Sequence, residues 1–271
     1  ITFVVNRNIN YTNICSFKCN FCAFSKGRGH DDLRGKPYNI SHEEIIRRTN
    51  EAVARGATEV CLQGGIHPKY SGETYLDIVR AIRSASSSIH IHAFSPLEID
   101  HGRKTLNIST KEFLQELQNA GLNSLPGTAA EILHDDIREI ICPDKLTSNQ
   151  WIEIIETAHS VGLPTTSTMM FGHIERTAHV AHHLLELLNL QKRTNGITEF
   201  VPLPFVADEA PIFRRGKARP GPTFKETILV HSVARILFQG QINNIQGSWV
   251  KIGLPGLKFL KLFVLSTFLK G

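Results

Sequence analysis

The feature that most constrains this chain is a repeat of short apolar runs, each followed by an amphipathic stretch. Strand-like runs are expected from residue 2 onward and at 59–62, 89–94, 123–125, 165–170, 198–202 and 242–246. Between them, helices are expected at 41–55, 75–85, 109–121, 129–141, 149–161, 177–192 and 224–238. Ser41 and Ser109 stand where N-caps belong, and Gly56, Gly121 and Gly162 stand where helices stop. Strands that alternate with helices through short loops predict a parallel sheet with right-handed crossovers, closing towards a barrel. The 271 residues suit one such α/β barrel, and no Gly-, Ser- or Pro-rich linker divides them.

Composition narrows the function classes. The formal charge is +5, but the basic residues are scattered apart from a cluster at Arg214, Arg215, Lys217 and Arg219. That is not the basic stripe with interleaved aromatics of a nucleic-acid binder, so no nucleic acid is expected as a partner. No run reaches the ~18–20 apolar residues of a membrane span. The chain opens inside a strand-like run without Met or a leader pattern, so residues are expected to precede Ile1. The five cysteines are too few and too odd in number for a disulfide framework. A reducing compartment, the cytoplasm, is expected.

Cys15, Cys19 and Cys22 fall within eight residues. Thiolates are soft ligands that suit zinc or iron–sulfur clusters. A structural zinc site wants four ligands, and a redox pair at Cys19 and Cys22 leaves Cys15 unexplained. The spacing, with Phe21 just before the third thiol, resembles the signature of the radical S-adenosylmethionine superfamily. The resemblance implies a [4Fe-4S] cluster on the three thiols. Its open iron would chelate S-adenosylmethionine, whose reductive cleavage yields a 5′-deoxyadenosyl radical. Cys61 reads instead as a core residue and Cys142 as structural.

In such barrels the loops after the strands form the catalytic face. Gln63, Gly64 and Gly65 follow the second strand and resemble the superfamily's methionine-binding motif, with Ile66 and His67 where that motif has Glu. Glycines allow close approach to a ligand. His90 and His92 alternate on a strand and so share a side. They suit a metal or a pore that hydrogen-bonds substrate, and the second is expected because the cluster accounts for metal. Glu98 and Glu131 fit salt bridges as well as a substrate amine or ribose. His182 and His183 are expected on a helix surface.

Longer segments sharpen the resemblance. Residues 6–15, 22–24, 63–65, 90–96 and 168–173 look like the family shared by deazaflavin synthases and futalosine-pathway menaquinone enzymes. Residues 124–133, 200–206, 219–222, 244–246 and 248–251 are similar to its tyrosine-using FO synthase branch. That branch implies cleavage of the Cα–Cβ bond of L-tyrosine and transfer of the 4-hydroxybenzyl group to 5-amino-6-(D-ribitylamino)uracil. It also implies a cyclising radical partner subunit and a reductant. On this basis Phe21, Gln63, Gly64, Gly65, Ser95 and Glu131 are candidates for S-adenosylmethionine. His67, His90, His92, Glu98, Thr128, Met170 and His173 are candidates for substrate. A futalosine-pathway cyclase is the alternative.

The tail departs from the family. Residues 1–253 are expected to form the radical barrel. Residues 254–271 are apolar, with Lys258 and Lys261 among them, and either form an amphipathic helix or replace the last βα unit. In the second case the barrel stays open and inactive.

Overall fold

The computed structural model describes residues 2–25, 36–263 and 267–270. The chain runs β1 (Thr2–Asn10), α1 (His42–Ala54), β2 (Glu59–Gln63), α2 (Gly72–Ala85), β3 (His90–Ala93), α3 (Pro96–Leu106), α4 (Thr110–Ala120), α5 (Asp135–Ile141) and α6 (Ser148–Ser160). It continues with β4 (Thr165–Phe171), α7 (Thr177–Thr194), β5 (Ile197–Pro204), α8 (Pro211–Arg214), α9 (Phe224–Leu237), β6 (Asn244–Gly247), α10 (Trp249–Phe263) and β7 (Thr267–Lys270). The strands pair in the order β3-β2-β1-β7-β6-β5-β4, and every pair is parallel. Ser124 bridges His92 and Leu125 bridges Thr165, also in parallel, so residues 124–125 join β3 to β4 and close the ring. The expected α/β barrel forms.

Three local expectations change. The strand expected at 123–125 is only this two-residue link, because Pro126 follows and has no N–H to extend a ladder. The helix expected at 129–141 begins only at Asp135, since Ala129 and Glu131 hold positive φ angles of 60° and 50° that no right-handed helix accepts. The third change is α3, a helix where no amphipathic stretch is expected between the runs at 89–94 and 109–121. Ser95 caps it, Pro96 begins it, and Glu98 returns a bond to the cap, which satisfies two otherwise orphaned N–H groups.

The barrel does not lack its last βα unit. The atypical tail supplies it: α10 follows β6, and β7 then pairs with both β6 and β1. The ladder asks only for backbone groups, so a variable sequence can serve. Leu257 and Leu260 of α10 are buried, which gives the helix its hold. Gly253 breaks α10 with φ 69° just ahead of Pro255, a conformation that glycine takes without a steric penalty.

The apolar core lies between strands and helices. Ile9, Val60, Leu62, Ile91, Met169, Phe171, Phe200 and Ile245 point outward from the strands and are buried there. Their neighbours alternate towards the axis. Register sets Asn6 beside Glu59 and Glu59 beside His90, and one layer up Asn8 beside Cys61 and Cys61 beside His92. The axis of this barrel is therefore polar and hollow rather than filled by layers of branched apolar side chains.

Candidate functional site

The chain after β1 carries Cys15, Cys19 and Cys22 over the C-terminal ends of the strands. All three thiols line one cavity of about 490 Å³. The loop after β2 is locked against this segment. Gly65 N–H donates to the Thr12 carbonyl (2.9 Å), and Ser16 N–H donates to the Ile66 carbonyl (2.9 Å). A Cβ on Gly64 would collide with the Tyr11 ring, and one on Gly65 with Ile14 and Cys15. These two glycines are needed for that approach.

Two backbone donors address the thiols. Ile66 N–H points at Cys15 Sγ (3.3 Å) and Ser25 N–H at Cys22 Sγ (3.4 Å). Burial pushes the Cys19 and Cys22 thiols up from their ordinary range, and the Lys145 ammonium pulls them partly back. The protein alone does not ionise these thiols, and a bound metal centre would. Three convergent soft donors with N–H groups aimed at two sulfurs fit an iron–sulfur cluster bound by three cysteines. Cys142 is buried outside this cavity, and Cys61 faces the axis below it rather than the outer core.

Phe21, Gln63, Gly64, Gly65, Ser95, Glu98, Thr128, Glu131 and Met170 line the same cavity. Glu98 is sequestered. It accepts from Tyr11 Oη, from Ser95 N–H (2.7 Å) and from Ser95 Oγ (2.5 Å). Burial raises its carboxyl, and those bonds oppose the rise. It ties β1, the β2 loop and α3 together. Glu131 is paired with Lys145 (2.9 Å), and the Lys145 ammonium sits 5.0 Å from the Phe21 ring centroid.

His67 and His173 are not brought to the cavity. His67 stacks on Tyr70 (centroids 4.8 Å apart). His173 is fully buried, between the Met170 carbonyl (3.1 Å) and Glu175 (3.3 Å). His90 and His92 lie lower on the axis, sharing the hydroxyl of Ser124 at 2.7 Å each. His182 is on the surface as expected, but His183 is fully buried and accepts from Leu133 N–H (2.9 Å). The basic cluster is partly spent on structure, with Arg219 bound to Glu226 (2.7 Å) and Glu175 (3.2 Å).

Sequence reasoning missed Lys145, Asn8, Asn10, Thr168 and Lys251, all of which line the cavity. The alternation of Asn6, Asn8 and Asn10 was the available signal for β1. Nothing near Lys145 singles it out, because it reaches the thiols only through the fold.

Comparisons with known proteins agree with this geometry. Residues 9–188 match the Radical SAM superfamily. The chain is 50% identical over 254 residues to FO synthase of Mycobacterium leprae, of which it covers 29%. It is 47% identical over 266 residues to 5-amino-6-(D-ribitylamino)uracil--L-tyrosine 4-hydroxyphenyl transferase of Methanothermobacter thermautotrophicus, covering 98% of this chain and 71% of that protein. Among solved structures, methylornithine synthase aligns with a TM-score of 0.74 at 15% identity, over 99% of this chain and 72% of that one. HydG, a maturase of the [FeFe]-hydrogenase, aligns with a TM-score of 0.74 at 14% identity, over 100% of this chain and 57% of that one. At such identities these two structures speak to the fold alone. The chain belongs to the radical S-adenosylmethionine superfamily and, within it, to the family of FO synthases and tyrosine 4-hydroxyphenyl transferases.

Proposed function

We propose that this chain is a radical transferase of FO synthesis. In this reading it cleaves the Cα–Cβ bond of L-tyrosine and joins the 4-hydroxybenzyl group to 5-amino-6-(D-ribitylamino)uracil. The observation that carries the proposal is the set of three thiols at the mouth of a polar, hollow barrel in a chain 47% identical to the transferase named above. That relative's name favours this reading over a futalosine-pathway cyclase. The closing of the ring by α10 and β7 removes the reason for expecting an open, inactive barrel.

Cys15, Cys19 and Cys22 would hold the [4Fe-4S] cluster. With S-adenosylmethionine bound, it supplies a 5′-deoxyadenosyl radical. The Ile66 and Ser25 N–H groups stabilise negative charge on two of the sulfurs. Gln63, Gly64, Gly65, Ser95, Glu131 and Phe21 surround the place of S-adenosylmethionine. Lys145, paired with Glu131, balances the charge of that wall beside the cluster thiols. Thr128, Met170, His90 and His92 face substrate, while Glu98, His67 and His173 hold the loops in position. Phe17, Phe24, Phe205 and Val206 give the mouth apolar walls that exclude water from a reactive intermediate. A cyclising partner subunit and a reductant complete the reaction sequence. The cytoplasm suits thiols that must stay reduced. Among the described residues no helix is long and apolar enough to cross a membrane.

Anaerobic reconstitution should load about four irons per chain. Cys19→Ala should lose the cluster absorbance and abolish S-adenosylmethionine cleavage. Dithionite, S-adenosylmethionine, tyrosine and the ribitylaminouracil should then give the 4-hydroxybenzyl adduct by mass spectrometry. A loaded wild-type chain that cleaves S-adenosylmethionine without forming the adduct would refute the assignment.

A further inference from the structure

A second cavity of about 510 Å³ lies at the opposite, N-terminal end of the strands. It shares Asn8, Gln63, Thr128, Thr168 and Leu203 with the upper one, so the two adjoin along the axis. Their charges differ. The upper cavity is lined by Lys145 and Lys251 together with Glu98 and Glu131, so it holds cations as well as carboxylates. The lower one is lined by the carboxylates Glu59 and Glu199, by His90 and His92, and by no Lys or Arg among the described residues.

The lower wall is rich in hydrogen-bond acceptors. Burial raises both carboxyls, Glu199 to about 7, and Glu59 adds to the rise at Glu199. Burial also keeps His92 neutral, down at about 3. Gln246 is 3% exposed. Its Nε2 donates to Glu199, while its buried Oε1 meets no partner. A buried acceptor without a donor is costly, and a ligand donor would relieve it.

These observations sort ligands by charge. A phosphate or free carboxylate would sit beside Glu59 and Glu199, whose ionised forms burial already disfavours, with no Lys or Arg of the described lining to balance it. A divalent cation is the other candidate, since donor atoms of Glu59, His90 and His92 lie within 4.8 Å of one another. But the Ser124 hydroxyl already engages both imidazoles at 2.7 Å, and Asn6 donates to Glu59 (3.2 Å). An uncharged polyhydroxylated molecule fits better, because its O–H and N–H donors match the acceptors.

We propose that the lower cavity seats the ribityl chain of the acceptor, with its uracil ring at the shared wall, and that Glu59, Glu199 and Gln246 select the free polyol over its phosphate ester. The proposal rests on the functional reading above. The ligands that carry a carboxylate, tyrosine and S-adenosylmethionine, then fall to the upper cavity, where cations balance the carboxylates of the wall.

Calorimetry on the reconstituted full chain under anaerobic conditions tests this, with 5-amino-6-(D-ribitylamino)uracil and its ribityl 5′-phosphate as probes. The free acceptor should bind at least about tenfold more tightly than the phosphate. Glu199→Gln and Glu59→Gln should each weaken the free acceptor about tenfold and narrow that ratio, without changing S-adenosylmethionine affinity. Circular dichroism melts report whether the variants are folded. Equal affinity for the two probes would overturn the proposal. So would unchanged acceptor binding in both variants, or stoichiometric Mn²⁺ binding that expels the acceptor and is lost in His92→Ala. Adduct formation by wild type with unaltered binding in the variants sinks the site and leaves the function standing. Selective binding below without any adduct sinks the function and leaves the site.

Discussion

At the scale of single residues, Lys145 and Glu131 matter beyond their contact. Their side chains are 11% and 13% exposed, and they pair beside Cys19 and Phe21. Breaking a buried pair from one side strands the other charge, which costs more than the pair itself contributes. Glu131→Ala should therefore destabilise the apoprotein by about 3–5 kcal/mol in urea unfolding. The double variant Glu131→Ala with Lys145→Met should recover much of that loss. If the double is as unstable as the single, charge is not the cause. Cys15, Cys19 and Cys22 were legible in the sequence because three ligands within one loop need no fold to bring them together. Lys145 was not, since its partners are 14 residues away at Glu131 and on the thiol loop.

At the scale of elements, legibility followed periodicity. The long helices and the outward-facing strand residues repeat regularly and were read to within a few residues. The exceptions are α3, signalled only by its Ser95–Glu98 capping box, and residues 129–131, where positive φ angles leave no periodic trace. The helix of the tail was one of the two expectations, but its strand was not legible, because closure at β7 depends on backbone pairing with β1 and β6, which side-chain resemblance cannot register. Ending the chain after Phe263 should leave β1 and β6 with open edges. We expect the truncated protein to bind a hydrophobic dye and aggregate at concentrations where the full chain does not, as seen by light scattering. A soluble, dye-silent truncation would show that β7 is dispensable.

At the scale of the whole molecule, buried ionisable groups set the pH range. Burial holds His183 and His92 down at about 3 and His159 at about 4, against about 6.5 for an unperturbed imidazole. The unfolded chain takes up protons there that the folded chain refuses, so stability falls as pH drops from about 6.5 towards 4. Glu199 works the other way. Its raised pKa makes the native state bind the extra proton between about 4.5 and 7, so its contribution is lost as pH rises through that window. Relative to Glu199→Gln, the wild type should lose about 2.5 kcal/mol between pH 5 and pH 8 in denaturant titrations. A pH-independent difference would mean that the carboxyl titrates normally.

The hollow axis carries one more consequence. Most barrels of this size bury apolar layers along the axis and draw cohesion from them, whereas here that volume is left to water or ligand. Folding and occupancy are then thermodynamically linked. A ligand at a hundred times its dissociation constant adds about 2.7 kcal/mol to the folded state. The melting temperature of this protein should accordingly report how much of its own substrate surrounds it.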